Sequence, residues 1–219
     1  MLKKIKNLLH NKVYSVRRFL NLWKFFFKDS PPIYTKTRTA GLKIHLGAGP
    51  INIQGWINVD AREYSHTHIV ANNFDLAQFA DGSISEIYMC HVLEHFSFSE
   101  VELLLRHFKN KLCIGGVIRL SVPSFDKLVD IYCDGHRNID LIKFAIMGGQ
   151  DYEFNFHKSI YNQKNLSNIL VQSGYTNIEK WDTLSDFGAD LGDWSSKYFP
   201  TSKDSIQISL NLKALNGVS

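Results

Sequence analysis

Apolar side chains at Leu2, Ile5, Leu9, Val13, Val16, Leu20, Trp23 and Phe27 recur every three or four positions, the stripe of an amphipathic helix. At ~1.5 Å per residue this helix would be a rod of roughly 40 Å, and Asp29-Ser30-Pro31-Pro32 stops it. After a polar linker around Thr35 to Thr39 the pattern changes to short, continuous apolar runs closed by glycine or polar turns, which read as buried strands. Leu42–Leu46 is the first and runs into Gly47-Ala48-Gly49-Pro50. Residues 56–59 form a second that ends at Asp60, and residues 68–71 a third, followed by Asn72-Asn73-Phe74-Asp75. Ile84–Cys90 is the fourth and opens into His91-Val92-Leu93-Glu94-His95.

Helical periodicity then returns. Ser99 with Glu102 three residues on reads as a capping box, the helix carries Val101, Leu104, Leu105, Phe108 and Leu112 on one face, and Gly115-Gly116 ends it. Residues 117–122 give a fifth strand stopped by Pro123, and residues 125–132 a helix with Leu128, Val129 and Tyr132 on one face. Leu166, Ile169 and Leu170 mark a short helix closed by Gly174 as a left-handed cap, leading to a strand over 175–181. Residues 206–212 alternate like a half-exposed edge strand. Together these predict an α/β domain over 40–219: a mostly parallel seven-strand sheet with helices on both faces and an antiparallel edge strand. The amphipathic arm, 1–32, is a separate appendage, and there is no internal repeat or low-complexity segment.

Composition adds three points. A chain of 219 residues, 44% hydrophobic and 21% charged, fits one packed domain with an appendage. The net charge of +4 is unevenly spread: residues 1–28 hold eight Lys or Arg and no acid, so the remainder has 17 Lys or Arg against 21 Asp or Glu. A basic arm on an acidic body suggests an anionic surface as the arm's partner and argues against nucleic acid. Cys90, Cys113 and Cys133 form no CxxC pair, which fits a reducing, cytoplasmic setting; no metal site is expected. The arm's apolar stretches are too short to span a membrane and are broken by Arg17, Arg18 and Lys24. Its stripe suits three roles: lying on an anionic membrane surface, packing on its own domain or a sister subunit in a homodimer, or ordering only when bound.

The polar residues at strand ends carry the candidate chemistry, because ligands of open α/β sheets bind beyond the carboxyl ends of the strands. Gly47 and Gly49 follow strand one, Asp60 strand two, Asp75 strand three, and His91, Glu94 and His95 strand four. A glycine turn permits close approach to the backbone, and a carboxylate one strand over can accept hydrogen bonds from both ribose hydroxyls, so the pair points to a nucleoside. A dinucleotide fingerprint would need a third glycine, where this chain has Asn52, and an acid about 20 residues on, whereas Asp60 lies 13 after Gly47. The missing glycine is the one that helps aim a helix N-terminus at pyrophosphate, so a nucleoside without phosphate fits better.

The segments Lys43-Ile44-His45-Leu46-Gly47-Ala48-Gly49, Gly55-Trp56-Ile57-Asn58-Val59-Asp60, Met89-Cys90-His91-Val92-Leu93-Glu94-His95 and Leu112-Cys113-Ile114-Gly115-Gly116-Val117-Ile118-Arg119-Leu120-Ser121-Val122-Pro123 resemble the class I S-adenosylmethionine (SAM)-dependent methyltransferases of the methyltransferase type 11 group. They are similar in particular to a bacterial branch associated with surface glycan assembly, which shares the shortened loop between strands one and two. The resemblance covers residues 42–214. It implies a Rossmann-like fold, SAM as cofactor, and transfer of its methyl group, by O-methylation, to a small-molecule or glycan-type acceptor. It further implies that the turn Leu46-Gly47-Ala48-Gly49 packs on the methionine part of SAM, Asp60 binds the ribose, Asp75 and Leu76 lie at the adenine, and His91 lines the methyl-transfer opening. The chain departs from the branch at Ser124, where an acid is common, and at His45, where an apolar or acidic residue is common.

Methyl transfer is an in-line displacement that depends on placing the acceptor and excluding water, with a base required only for a hydroxyl or protonated amine. His91, His95 and His157 are the candidate bases. His157 is placed first and His91 second, since His157 lies in the aromatic and polar insertion 147–158, where the resemblance implies acceptor-side residues. Two other classes compete: a scaffold that kept the fold and lost the reaction, and a nucleotide-sugar enzyme, which the missing third glycine and the lack of a Tyr-x-x-x-Lys pair oppose.

Overall fold

The computed structural model describes residues 41–71, 74–202 and 204–217. The amphipathic arm predicted at the N-terminus lies outside these residues. No described helix is long and apolar enough to cross a membrane.

Nine strands form among the described residues: β1 (Leu42–Leu46), β2 (Ile57–Asp60), β3 (Ile69–Val70), β4 (Ile84–Cys90), β5 (Leu112–Pro123), β6 (Thr176–Lys180), β7 (Tyr198–Pro200), β8 (Ser205–Gln207) and β9 (Ser209–Leu215). Seven make one sheet in the order β3-β2-β1-β4-β5-β9-β6. β1 to β5 pair in parallel, and β9 runs antiparallel to both β5 and β6. The mixed seven-strand sheet is as predicted, and the antiparallel pair β9–β6 forms one edge. β9 itself sits one place in from that edge, which explains why Leu210, Leu212 and Ala214 are buried. The predicted strand 206–212 divides at Ile208, whose amide donates to the Lys197 carbonyl at 3.1 Å; the part before it pairs with β7 as a separate hairpin.

The two faces of the sheet differ in chemistry. On one, Ile44, Ile87, Ile118, Leu120 and Leu212 join a single apolar core with Leu104 and Phe108 of the helix Phe98–Lys111 and Leu166 and Leu170 of the helix Gln163–Gln172. Each such side chain contributes roughly 1.5–3 kcal/mol by leaving water. The other face is aromatic and ionic. Trp56, Tyr88 and Trp181 cluster beneath the short helix Thr183–Phe187, and Arg119 lies between Glu86 and Asp186, which also pairs with Lys213 at 2.7 Å. His45 belongs to this layer: its ring stacks on Tyr88 at 5.1 Å and its Nδ1 lies 3.3 Å from Asn58 Oδ1.

Three boundaries differ from the sequence reading. The cap of the helix Phe98–Lys111 is Ser97, whose amide and hydroxyl donate to the Glu100 carboxylate at 2.7 and 2.6 Å. Ser97 has the extended backbone of a cap, while Ser99 is already inside the helix and Glu102 pairs with Arg106 at 2.8 Å. The helix ends at Lys111, which is held by the Phe79 carbonyl and Asp81, so Gly115-Gly116 falls inside β5. There Ile84 pairs with Leu112 but Glu86 with Val117, so the intervening residues bulge, with Gly115 at φ 77°. In the helix Phe125–Asp134 the buried pair is Leu128 and Ile131, and Val129 is 39% exposed.

His45 gives this packing a pH signature. Burial pushes its imidazole down to about 4, against the opposing pull of Asp193, whereas the unfolded chain takes up the proton near ~6.5. A folded-state pKa below the unfolded one means that stability is present above ~6.5 and is lost as pH falls toward 4. Urea unfolding at a series of pH values is expected to show this loss, with a slope shallower in His45→Gln by up to ~1.4 kcal/mol per pH unit. An identical slope in the variant would remove His45 from the account.

Candidate functional site

Beyond β1 the chain turns sharply at Gly47 and Gly49, with φ of 65° and 53°. The amides of Gly47 and Ala48 both donate to the Val59 carbonyl, at 2.8 and 3.2 Å, and the Gly49 amide donates to Asp60 Oδ2 at 2.7 Å. A Cβ on Gly47 would overlap the Val92 side chain, so the turn is wedged between the ends of β2 and β4. Asp60 Oδ1 accepts the Arg62 amide at 2.8 Å, and each oxygen retains acceptor capacity. With no crossover helix between β1 and β2, side chains hold the short loop. Asn58 Nδ2 donates to Asn52 Oδ1 at 2.8 Å, and His66 Nε2 meets the Gly49 carbonyl at 3.0 Å.

The other residues that the resemblance assigns to the cofactor are anchored differently. Leu46 and Leu76 point into the apolar core, so they offer the cleft only backbone. Asp75 Oδ1 accepts the Ala77 amide at 3.0 Å in a local turn, and its carbonyl meets His107 of the helix Phe98–Lys111. His45, an open position in the sequence reading, lies in the aromatic layer described above.

His91 and His157, far apart in sequence, converge on Glu94. His91 Nδ1 lies 3.5 Å and His157 Nε2 3.8 Å from Glu94 Oε1, and the rings of His95 and His157 meet edge to face at 4.8 Å. Glu94 is 1% exposed, and neither carboxylate oxygen has a hydrogen-bond partner among the described residues. Its main chain explains its position. The Lys158 and Ser159 amides donate to the Glu94 carbonyl at 2.7 and 3.1 Å, gripping the end of the insertion against the turn after β4. Burial pushes the Glu94 carboxyl up to about 8. It also pushes His91 down to about 3, with His157 and His95 adding to the effect, and His157 down to about 4. A proton in this cluster therefore rests on the carboxylate before either imidazole.

The insertion reaches both halves of the site, since Tyr152 packs under the Arg62 guanidinium at 4.5 Å. Trp194, 55% exposed, stacks on His91 at 5.7 Å and closes the other side. A cavity of about 10 Å³ borders Glu94 together with Phe125, Leu128 and Tyr161, room for about one water. The sequence reading named Glu94 at the end of strand four and Tyr152 within the insertion without giving either a role, and did not name Arg62. The available signal for Glu94 was an acid set between two histidines in the run His91-Val92-Leu93-Glu94-His95.

No family model matches the sequence, and no curated protein matches it significantly. Solved structures do match. A Thermotoga maritima SAM-dependent methyltransferase, given as a possible histamine N-methyltransferase, aligns over 94% of both chains at 11% identity and a TM-score of 0.52. The fold is that of the class I methyltransferases. An Archaeoglobus fulgidus SAM-dependent methyltransferase aligns over 92% of this chain and 91% of its own, at 14% identity and a TM-score of 0.47. The CurJ carbon methyltransferase aligns over 84% of this chain at 13% identity and a TM-score of 0.49, and this chain spans 50% of its length.

A class I methyltransferase fold with this turn makes Gly47 a sensitive position. Gly47→Ala is expected to lower the thermal midpoint by several degrees, since the new methyl must displace Val92 at a left-handed φ, while Gly41→Ala, where the added carbon meets nothing within 4 Å among the described residues, is expected to lower it less. Equal losses at the two positions would show that backbone strain alone, and no wedge against Val92, sets the cost.

Proposed function

We propose that this protein is a SAM-dependent methyltransferase acting on a small-molecule or glycan-type acceptor. The observation that carries the proposal is the 2.7 Å bond joining the Gly49 amide to the Asp60 carboxylate at the switch from β1 to β2, in a class I methyltransferase fold. The residues fit the cofactor: the turn around Gly47 and Gly49 leaves backbone open to close approach, and Asp60 keeps lone pairs for two ribose hydroxyls. Asp75 and Leu76 would then meet the adenine through their turn.

SAM supplies an electrophilic methyl carbon: as the acceptor's lone pair bonds to it, the carbon–sulfur bond breaks and its electron pair passes to sulfur, giving S-adenosylhomocysteine. The protein's share is placement and proton handling. Tyr152 and Trp194 shield the cleft on two sides. For a hydroxyl acceptor, the proton passes to Glu94 when its carboxyl starts ionised; burial pushes that group up to about 8, so this role favours alkaline pH. The sequence reading placed His157 first and His91 second as base; burial pushes these imidazoles down to about 4 and about 3, which makes each a weak proton acceptor at neutral pH.

The basic arm would bring the domain to the inner face of a cytoplasmic membrane or to a second copy of the chain, and its eight Lys or Arg over 28 residues without an acid support the first. A scaffold reading draws on one observation, the small cavity beside Glu94; under the enzyme reading the insertion must shift for the acceptor to enter.

Calorimetric titration with S-adenosylhomocysteine is expected to show one site per chain, weakened about 10–100-fold by Asp60→Ala. Labelled SAM incubated with cell extract then assigns the acceptor, with label expected in glycan or small-molecule fractions. No binding, or binding indifferent to Asp60→Ala, rejects the methyltransferase reading; binding without transfer of label favours the scaffold.

A further inference from the structure

The buried cluster at the end of β4 holds acceptors facing one another. His157 Nδ1 lies 3.0 Å from the Ala145 carbonyl and His95 Nδ1 3.2 Å from the Phe156 carbonyl. A carbonyl can only accept, so both rings donate from Nδ1 and carry their lone pair on Nε2. Ser209 settles the third ring in the same way. Its single hydroxyl proton goes to the Trp194 carbonyl at 2.6 Å, so it accepts from His91 Nε2 at 2.7 Å, leaving the His91 lone pair on Nδ1. That lone pair and the one on His157 Nε2 face Glu94 Oε1 at 3.5 and 3.8 Å. Both Glu94 oxygens are fully buried and lack a hydrogen-bond donor among the described residues.

Such a group of lone pairs is unfavourable unless a proton, a water or a cation sits among them. One ligand atom from each of Glu94, His95 and His157 lies within 4.8 Å of the others. Metal bonds of ~2.0–2.2 Å allow ligand atoms up to ~4 Å apart, so the 3.8 Å pair is already in range. Closing the remainder requires His95 and the Phe156 carbonyl to move together toward Glu94 and His157. The Nδ1–H to carbonyl bonds are the outer contacts that orient metal-binding imidazoles and fix their tautomer.

We propose that Glu94, His95 and His157 bind one divalent transition-metal ion, with His91 Nδ1 beside the Glu94 ligand atom at 3.5 Å. Two imidazoles and one carboxylate suit zinc, manganese or cobalt rather than calcium or magnesium, and three protein ligands leave a position open. That open position would receive an acceptor oxygen and lower its pKa, a use that rests on the methyltransferase reading; binding of the ion does not. The site replaces the sequence expectation of no metal, which considered cysteine spacing and saw no ligand set, because His157 joins the other two ligands only through the fold.

The test uses the full chain, stripped with a chelator and titrated with Co²⁺ and, separately, Zn²⁺. Expected are one saturable site per chain with visible Co²⁺ ligand-field bands, and X-ray absorption of the zinc form showing two imidazoles and oxygen. His157→Ala and Glu94→Gln should weaken binding by more than the ~10–100-fold typical of losing an outer contact, while Cys133→Ser leaves it unchanged. Circular dichroism confirms that each variant is folded; where one is not, the wild-type stoichiometry and absorption spectrum decide. No saturable site would mean that a proton or a water fills the cluster, and this overturns the proposal. Thiolate ligands, or binding that persists in both folded variants, overturn it equally. S-adenosylhomocysteine binding is independent of each result, so loss of the metal site leaves the cofactor reading standing.

Discussion

The hydrogen bond from the Gly49 amide to Asp60 joins the ends of two neighbouring parallel strands directly, where a helix would ordinarily intervene, and the shape of the cleft follows from it. A loop this short can close only if its backbone enters the left-handed region, which Gly47 and Gly49 do at little steric cost. Val92 then fills the space that a side chain at 47 would occupy, coupling the turn to the end of β4. Asn58, His66 and Asn52 replace the packing of the absent helix with hydrogen bonds. A polar, tightly stitched loop of this kind suits a ligand with hydroxyls to be held and no phosphate to be cradled.

A second constraint lies one strand over. Burying an unpaired carboxylate is costly, yet Glu94 is placed among three imidazoles by the grip of Lys158 and Ser159 on its carbonyl. The same grip ties the insertion to the sheet, and Arg62 with Tyr152 ties it to the Asp60 side. The Asp60 side and the Glu94 side of the cleft are therefore two ends of one mechanical unit. The ionic layer built on Glu86, Arg119, Asp186 and Lys213 lies on a different part of the fold and serves packing.

Strand positions were legible because buried parallel strands leave continuous apolar runs; Ile84–Cys90 has the same limits in the sequence and in the structure. Places where two local signals compete were less legible. Ser97 and Ser99 each precede an acid by three residues, and only backbone conformation separates them. Strand β9 alternates in the manner of an edge strand, but its neighbours are set by the pairing of β6, which no local pattern encodes. In the candidate site, Asp60 could be paired with its turn because the two are close in sequence. Glu94 was named at a strand end but given no role, because its surroundings depend on His157, 63 positions away and brought in by the insertion. Leu46 ends β1 and Leu76 lies in the turn after Asp75, and the side chains of both serve the core.

The central claim is that Asp60 and the Gly47–Gly49 turn hold a nucleoside whose reactive end faces the histidine–glutamate cluster. A crystal structure of the full chain with S-adenosylhomocysteine tests this most directly. The account predicts both ribose hydroxyls on the Asp60 carboxylate, the amino-acid part over the glycine turn, and the sulfur directed toward His91. A ligand bound elsewhere, or a ribose that leaves Asp60 bonded only to the Gly49 and Arg62 amides, would contradict it.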